Sequence, residues 1–358
     1  MSKARELAEL GAVYDSGALS NRNLIINGNM QIAQRGTSTS VSTSANTYLL
    51  DRFFTRIQGS SGSATVSRET DAPNGLSKSL KFTVGTADST LDSGHYNRVH
   101  QEIEGHHIPG LKWGTADAEP ASLSFWVKSS VTGTYSIGIY NGAVDRSYVS
   151  EYTISAANTW EYKTIYVAPI TTGTWAIDSS AEVRITWSLG AGSTYSTGTV
   201  DQWQSAFNFS SSNNVNLMAT SSATFFLTGV QFEVGPEATP FEHRNYEIEL
   251  LRCQRYFYKK ASLQGSVLNA YTTAKAFVDF PLPVPMRTSP TQNTMQADRF
   301  ALAGVSNITS DLTSEVAYGD EFNQTMRFGN ADSDFTAGLS YIIFPNSTDT
   351  GAEFDAEL

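Results

Sequence analysis

The chain's six tryptophans, Trp113, Trp126, Trp160, Trp175, Trp187 and Trp203, all fall in its first two thirds. Flat aromatic rings stack on the C–H faces of sugars. A sugar platform needs such a ring on an outer sheet face, beside hydroxyl and amide donors. Trp126 and Tyr140 are the candidates for glycan contact. Their strand neighbours Phe125/Val127 and Ile137/Ile139 claim the inward positions, which turns Trp126 and Tyr140 outward. The competing reading packs these rings against another sheet, a second domain or a partner subunit, since aromatics also dominate interfaces.

Other chemistry is thinly supported. His95, His100, His106 and His107 cluster in sequence. On a strand His95 and His100 have opposite parity, and a zinc site needs three or four converging ligands. No metal site is assigned. Glycoside hydrolysis needs two facing carboxylates. Glu102, Glu104, Asp145, Glu151 and Asp201 are scattered, and no spacing singles out a pair. Gly-x-Ser-x-Gly and Walker-type phosphate loops are absent. The expectation is a protein without catalytic residues, not an enzyme.

The elements that must position these residues are strands. Charged residues make up only 16% of 358 residues, while 43 serines and 38 threonines supply polarity without charge. With 40% hydrophobic and 11% aromatic content, this composition suits a strand-rich protein with a real core. The net charge of −11 disfavours general nucleic-acid binding. A single cysteine, Cys253, rules out an internal disulfide. No apolar run is long enough to span a membrane, and the N-terminus has no apolar export signal core.

Along the chain, Ser2–Leu10 has a helical pattern, with Ala4, Leu7 and Ala8 near one face. A helix this short does not stand alone. With the linker that follows, it defines an anchor at residues 1–22. From Asn23 the period becomes two. Leu123, Phe125 and Val127 alternate with polar residues, as do Val183, Ile185, Trp187 and Leu189. Tyr162, Thr164 and Tyr166 alternate with Lys163, Ile165 and Val167, and Thr224–Glu233 reads as a closing strand. Turn signals such as Asn141-Gly142 and Thr172-Gly173 separate these runs. The expected architecture is all-β: a jelly-roll sandwich at 23–245, a linking helix at 246–256 and a smaller β domain at 257–358. The prolines of Phe280–Met286 place that segment at an edge or in an extended crossing.

Two stretches, Asn23–Met30 and Phe225–Glu233, resemble the first and last strands of jelly-roll carbohydrate-binding modules attached to xylanases, and Ala121–Ser130 resembles another of their strands. The order of motifs along the whole chain resembles tail-fibre and appendage proteins of tailed bacteriophages. Its matching pieces include Ser2–Ala8, Asn23–Gln34, Tyr48–Phe53, Gln101–Gly105, Leu111–Ala116, Val234–Glu242, Cys253–Tyr258 and Phe280–Pro290. The related modules carry an Asp-Asp pair in the closing strand, where one acid can bind structural calcium. Here those positions are Thr228 and Gly229, so no cofactor is expected.

The resemblance implies a virion structural protein, a homotrimer. It would dock to other tail or capsid proteins through residues 1–22 and meet host-surface glycans with its outer domains. Two rivals remain. One is a tailspike enzyme that degrades glycans, which would release reducing ends. The other is a spacer or head-fibre decoration protein that binds no sugar.

Overall fold

The computed structural model describes residues 21–43, 45–260, 266–293, 300–303, 312–319, 323–330, 335, 337, 339–345 and 352–358. The expected helix at Ser2–Leu10 and the linker up to residue 20 lie outside the described residues. The chain forms two compact units, one running to Glu249 and the other spanning Leu250–Glu357.

Among the described residues the first unit holds fifteen strands. They are β1 (Ser38–Ser40), β2 (Thr47–Tyr48), β3 (Phe53–Gln58), β4 (Ala64–Glu69), β5 (Ser79–Val84), β6 (Tyr96–Glu104), β7 (Ala121–Ser129) and β8 (Gly133–Asn141). Then follow β9 (Ser147–Ile154), β10 (Glu161–Val167), β11 (Ala181–Ala191), β12 (Ser196–Thr197), β13 (Trp203–Gln204), β14 (Ser210–Ser211) and β15 (Thr224–Val234). Two sheets face each other: β1-β4-β5-β15-β7-β10 with six strands and β13-β9-β8-β11-β6-β3-β2 with seven. All pairings within them are antiparallel. The chain passes from one sheet to the other after β1, β3, β5, β6, β7, β9 and β10, and again between β13 and β15. This is the wrapping of a jelly roll, so the expected fold class holds.

The period-two pattern explains the core. Leu123, Phe125 and Val127 of one sheet meet Ile137, Ile139, Val183, Ile185, Trp187 and Leu189 of the other, all fully buried in a single cluster. Trp187 meets Phe125 edge-on at 5.8 Å between centroids. Both rings therefore fill the space between the sheets.

The segment Asn23–Met30, which the resemblance made a first strand, is not one. Its first residues run extended beside β15, and the chain then turns at Asn27–Met30, where the Met30 amide donates to the Asn27 carbonyl at 2.9 Å. The Leu24 amide donates to the Phe232 carbonyl at 2.8 Å and the Val230 amide to the Gly28 carbonyl at 2.9 Å. The Gln101 side chain brackets Ile26, accepting from its amide at 3.0 Å and donating to its carbonyl at 2.9 Å. A side-chain amide thus replaces the strand partner, and no ladder forms. Glu242 closes the clasp, accepting from the Asn21 amide at 2.7 Å and the Asn23 amide at 2.9 Å. Arg244 donates to the Ile25 carbonyl at 3.0 Å and also to that of Asn23.

Gly28 is required by this approach: a Cβ there would lie 2.1 Å from the Val230 carbonyl oxygen. Gly28→Ala is expected to destabilise the sandwich by about 3 kcal/mol, because the obstacle is backbone that cannot rotate away. An unchanged urea midpoint for Gly28→Ala would contradict this.

The helix α1 (Tyr246–Gln254) follows, ending two residues before the expected boundary. In the second unit, β16 (Phe257–Lys260), β17 (Val267–Ala270), β18 (Lys275–Pro281), β19 (Thr291–Asn293) and β20 (Phe300–Ala303) come first. They are followed by β21 (Leu312–Gly319), β22 (Asn323–Asn330), β23 (Ser340–Pro345) and β24 (Ala352–Asp355). They form sheets β16-β24-β19 and β20-β23-β17-β18-β22-β21. Contrary to expectation, Phe280 and Pro281 belong to an internal strand. They sit at its tail, beyond the pairs that β17 makes at Ala276 and Phe277. The missing proline donor therefore interrupts no ladder on that side.

Candidate glycan-contact site

Trp126 and Tyr140 both turn away from the core, as their neighbours required. They lie on different sheets, however, and so on opposite outer faces. The structure does not bring them together.

On the six-stranded sheet, Trp126 stands opposite Tyr162 of the edge strand β10. Their ring centroids are 5.3 Å apart. Period two carries the strip onward through Thr164 to Tyr166, which pairs with Ser122. Tyr162 and Tyr166 are 44% and 50% exposed. A depression of about 320 Å³ adjoins Tyr166, lined also by Ser122, Thr164 and the turn 236–238.

At the other end the strip becomes charged. Lys128 lies 4.2 Å from the Phe226 ring centroid and 5.1 Å from that of Trp160. It bonds to Asp71, which also accepts from the Trp160 indole N–H at 2.9 Å. The Lys128 and Trp160 hydrogen bonds hold the Asp71 carboxyl below its ordinary range. The strip thus offers exposed ring faces, hydroxyls and one fixed ion pair on a single surface.

Tyr140 has a different fate. It is 2% exposed, so it presents no face to a sugar. Residues 192–216, which include β12, β13 and β14, fold over this part of the seven-stranded sheet. The Phe207 ring meets Tyr140 edge-on at 5.0 Å, and Tyr140 packs in one cluster with Tyr96 and Phe209. Gly138 permits the cover, since a Cβ there would sit 2.3 Å from the Phe209 Cα. The Ser/Thr/Gly-rich run from Gly192 to Gly198 looks like an ordinary loop, and only the spacing of Tyr195, Phe207 and Phe209 hinted at a lid.

Four tryptophans serve packing. Trp187 is in the core, and Trp113, Trp175 and Trp203 form an edge-to-face trio with centroids 4.9 to 5.8 Å apart. Tyr162 and Tyr166 were not singled out from sequence. The signal was there, because Ile165 and Val167 take the inward parity of the same strand.

The histidines do not converge. His95 lies in the turn before β6, and His106 and His107 are exposed in a short 3-10 turn, Gly105–His107. Among the described residues no group of three His, Cys, Asp or Glu could hold a metal ion. At the positions of the related calcium acid, Thr228 donates to the Lys78 carbonyl at 2.7 Å, and Gly229 belongs to a bulge of β15. The scattered carboxylates staple loops: Asp145 accepts from Asn141 at 2.8 Å, Asp201 from Ser150 at 2.6 Å and Glu151 from Asn213 at 3.0 Å.

His100 is fully buried on the outer face of β6, with Nδ1 2.6 Å from the Thr186 hydroxyl. Burial pushes its pKa down from 6.5 to about 4, against the pull of Glu102. Between these values the unfolded chain binds a proton that the folded chain refuses. Stability is therefore full above pH 6.5 and is lost as pH falls toward 4. A loss of about 2 kcal/mol between pH 7 and pH 5 is expected from this group. Urea unfolding at the two pH values checks it, and His100→Gln should flatten the slope in that window.

No known protein-family model matches the chain, and no curated protein does. Among solved structures it is similar to the enzymatically active domain of tailspike protein 4 of bacteriophage CBA120, at 14% identity over 60% of this chain and 21% of that one, with a TM-score of 0.31. The chain thus spans about a fifth of that tailspike domain. It is also similar to a family 4 carbohydrate-binding module, at 15% identity over 58% of this chain and 97% of that one, TM-score 0.33. A third is the family 11 module of Clostridium thermocellum with a mixed-linked tetrasaccharide, at 8% identity over 58% and 98%, TM-score 0.28.

Proposed function

We propose that this chain is a glycan-binding appendage protein of a tailed-phage virion, and that it contacts sugar through the outer face of the six-stranded sheet. One observation carries the binding reading. Trp126, Tyr162 and Tyr166 form a partly exposed aromatic strip beside hydroxyls and a 320 Å³ depression. Exposed rings of this kind cost solvation unless a ligand covers them, and a sugar supplies both a C–H face and hydroxyls.

The order of sequence motifs supports the virion setting, with docking through residues 1–22 and a homotrimeric assembly. Binding at one subunit is weak in this reading, because water competes for every hydroxyl. Three sites on one trimer raise avidity by about 10²- to 10⁴-fold where geometry permits simultaneous engagement. The protein acts as an adhesin and turns over no glycan.

A glycan array probed with the labelled full chain tests the reading. Hits on oligosaccharides, without release of reducing ends, are expected. A blank array from a folded protein would leave the spacer reading instead. Reducing-end release would establish the enzyme.

A further inference from the structure

The depression beside Tyr166 has a construction of its own. Its floor belongs to β7 and β10, and its rim is the turn 236–238 that follows β15. Backbone and side-chain bonds hold that rim against the sheet. The Gly235 amide donates to the Pro120 carbonyl at 2.8 Å. The Glu233 carboxylate accepts from the Thr239 amide at 2.8 Å and from the Thr239 hydroxyl at 2.7 Å. Glu233 also lies 3.5 Å from the Arg22 Nε, so its charge is balanced within the fold.

Ser122 stands between Tyr166 and Glu233 in the cross-strand register. Leu123 and Phe125 take the inward parity of β7, which turns Ser122 outward into the floor of the depression. Ser122 is 2% exposed, yet its hydroxyl has no hydrogen-bond partner. Buried polar groups in native folds are bonded as a rule, and an orphan on the floor of a depression marks where a ligand group completes the set. The lining adds the half-exposed Tyr166 ring, the Thr164 hydroxyl and, on the rim, the exposed carboxylate of Glu237. No lysine or arginine lines the depression.

The depression thus offers acceptors, one negative charge and an aromatic face, in a chain of net charge −11. A sugar carboxylate or sulfate meets repulsion here. A neutral sugar leaves the charge of Glu237 unused. An ammonium group carries three donors and no acceptor, and it is drawn both to a carboxylate and to the face of a phenol ring.

We infer that the depression is an amino-sugar subsite, which seats one sugar unit with its protonated amine toward Glu237 and the Tyr166 ring. The Ser122 hydroxyl bonds to a hydroxyl of the same unit. This selectivity rests on the aromatic strip being the glycan platform. A lysine side chain carries the same ammonium, but the strip leads on from the depression to Tyr162 and Trp126, whose rings suit the C–H faces of further sugar units.

Three β-1,4-linked trisaccharides that differ only at C2 test the subsite: the glucosamine trimer with free amines, its N-acetylated form and cellotriose. Calorimetric titration of the full chain, with the amines protonated, should show the free-amine form binding about five- to tenfold tighter than either of the others. Added salt should shrink that advantage. Glu237→Gln should reduce it to about twofold, the share of the Tyr166 ring. Ser122→Ala should weaken all three trisaccharides with no loss of melting temperature, because its hydroxyl has no partner within the fold. Equal affinity for the three, or preference for a form without the amine, would overturn the subsite and leave the strip as the platform. So would an advantage that survives Glu237→Gln undiminished. Failure of all three to bind a chain that takes other glycans on the array would overturn the subsite alone, whereas a blank array besides would remove both readings. Tighter binding of trilysine than of the glucosamine trimer would assign the depression to a protein partner and overturn the sugar.

Discussion

The double substitution Trp126→Ala/Tyr162→Ala is expected to weaken glycan binding about 30- to 150-fold. Each ring supplies about 1–1.5 kcal/mol of stacking, and the two stand opposite each other across β7 and β10. The fold should survive. Tyr162 is 44% exposed and belongs to an edge strand, so its removal opens no cavity in the core. Adsorption of particles should fall by more than the affinity of one subunit, because avidity multiplies each site's loss. Circular dichroism establishes folding, and titration with an array-positive oligosaccharide gives the affinity. Wild-type affinity in the folded double variant would reject this strip. Tyr140→Ala, by contrast, should act on stability, since the ring is buried beneath Phe207.

The second large effect is expected at Gly138. In Gly138→Val the new Cβ would stand 2.3 Å from the Phe209 Cα and 2.6 Å from its carbonyl oxygen. Residues 192–216 would have to lift from the sheet. Lifting them exposes Phe209 and Tyr140, and each buried aromatic is worth about 2–3 kcal/mol. The cover is therefore expected to detach while the sandwich core stays folded. Hydrogen exchange reads the difference. Amides of 195–211 should lose protection in Gly138→Val, while those of β7 and β11 keep it. Unchanged protection throughout would show that the cover does not depend on this glycine.

What was legible in the sequence follows from which face of a strand a residue occupies. Leu123, Phe125, Val127, Val183, Ile185, Trp187 and Leu189 announced their inward positions by alternation alone, and all are buried. Alternation also put Trp126 and Tyr140 outward, correctly. It could not say what lies outside. Whether an outer face meets water or a folded-over loop depends on contacts between distant residues, such as Gly138 with Phe209. Asn23–Met30 misled for a different reason: the resemblance made it a strand, but it makes only scattered backbone bonds to β15, and the side chain of Gln101 takes up Ile26.

The clasp between residues 21–28 and 230–244 also bears on how the domain would respond to pulling. Its entry and exit lie side by side, joined by Glu242 to the amides of Asn21 and Asn23 and by Arg244 to the carbonyls of Asn23 and Ile25. Tension applied between residues 21 and 244 loads this short set of bonds first. The roughly two hundred residues between hang as a pendant, outside the line of force, until the clasp parts. Tension along the flanking chain would therefore leave the sheets unsheared until the clasp parts.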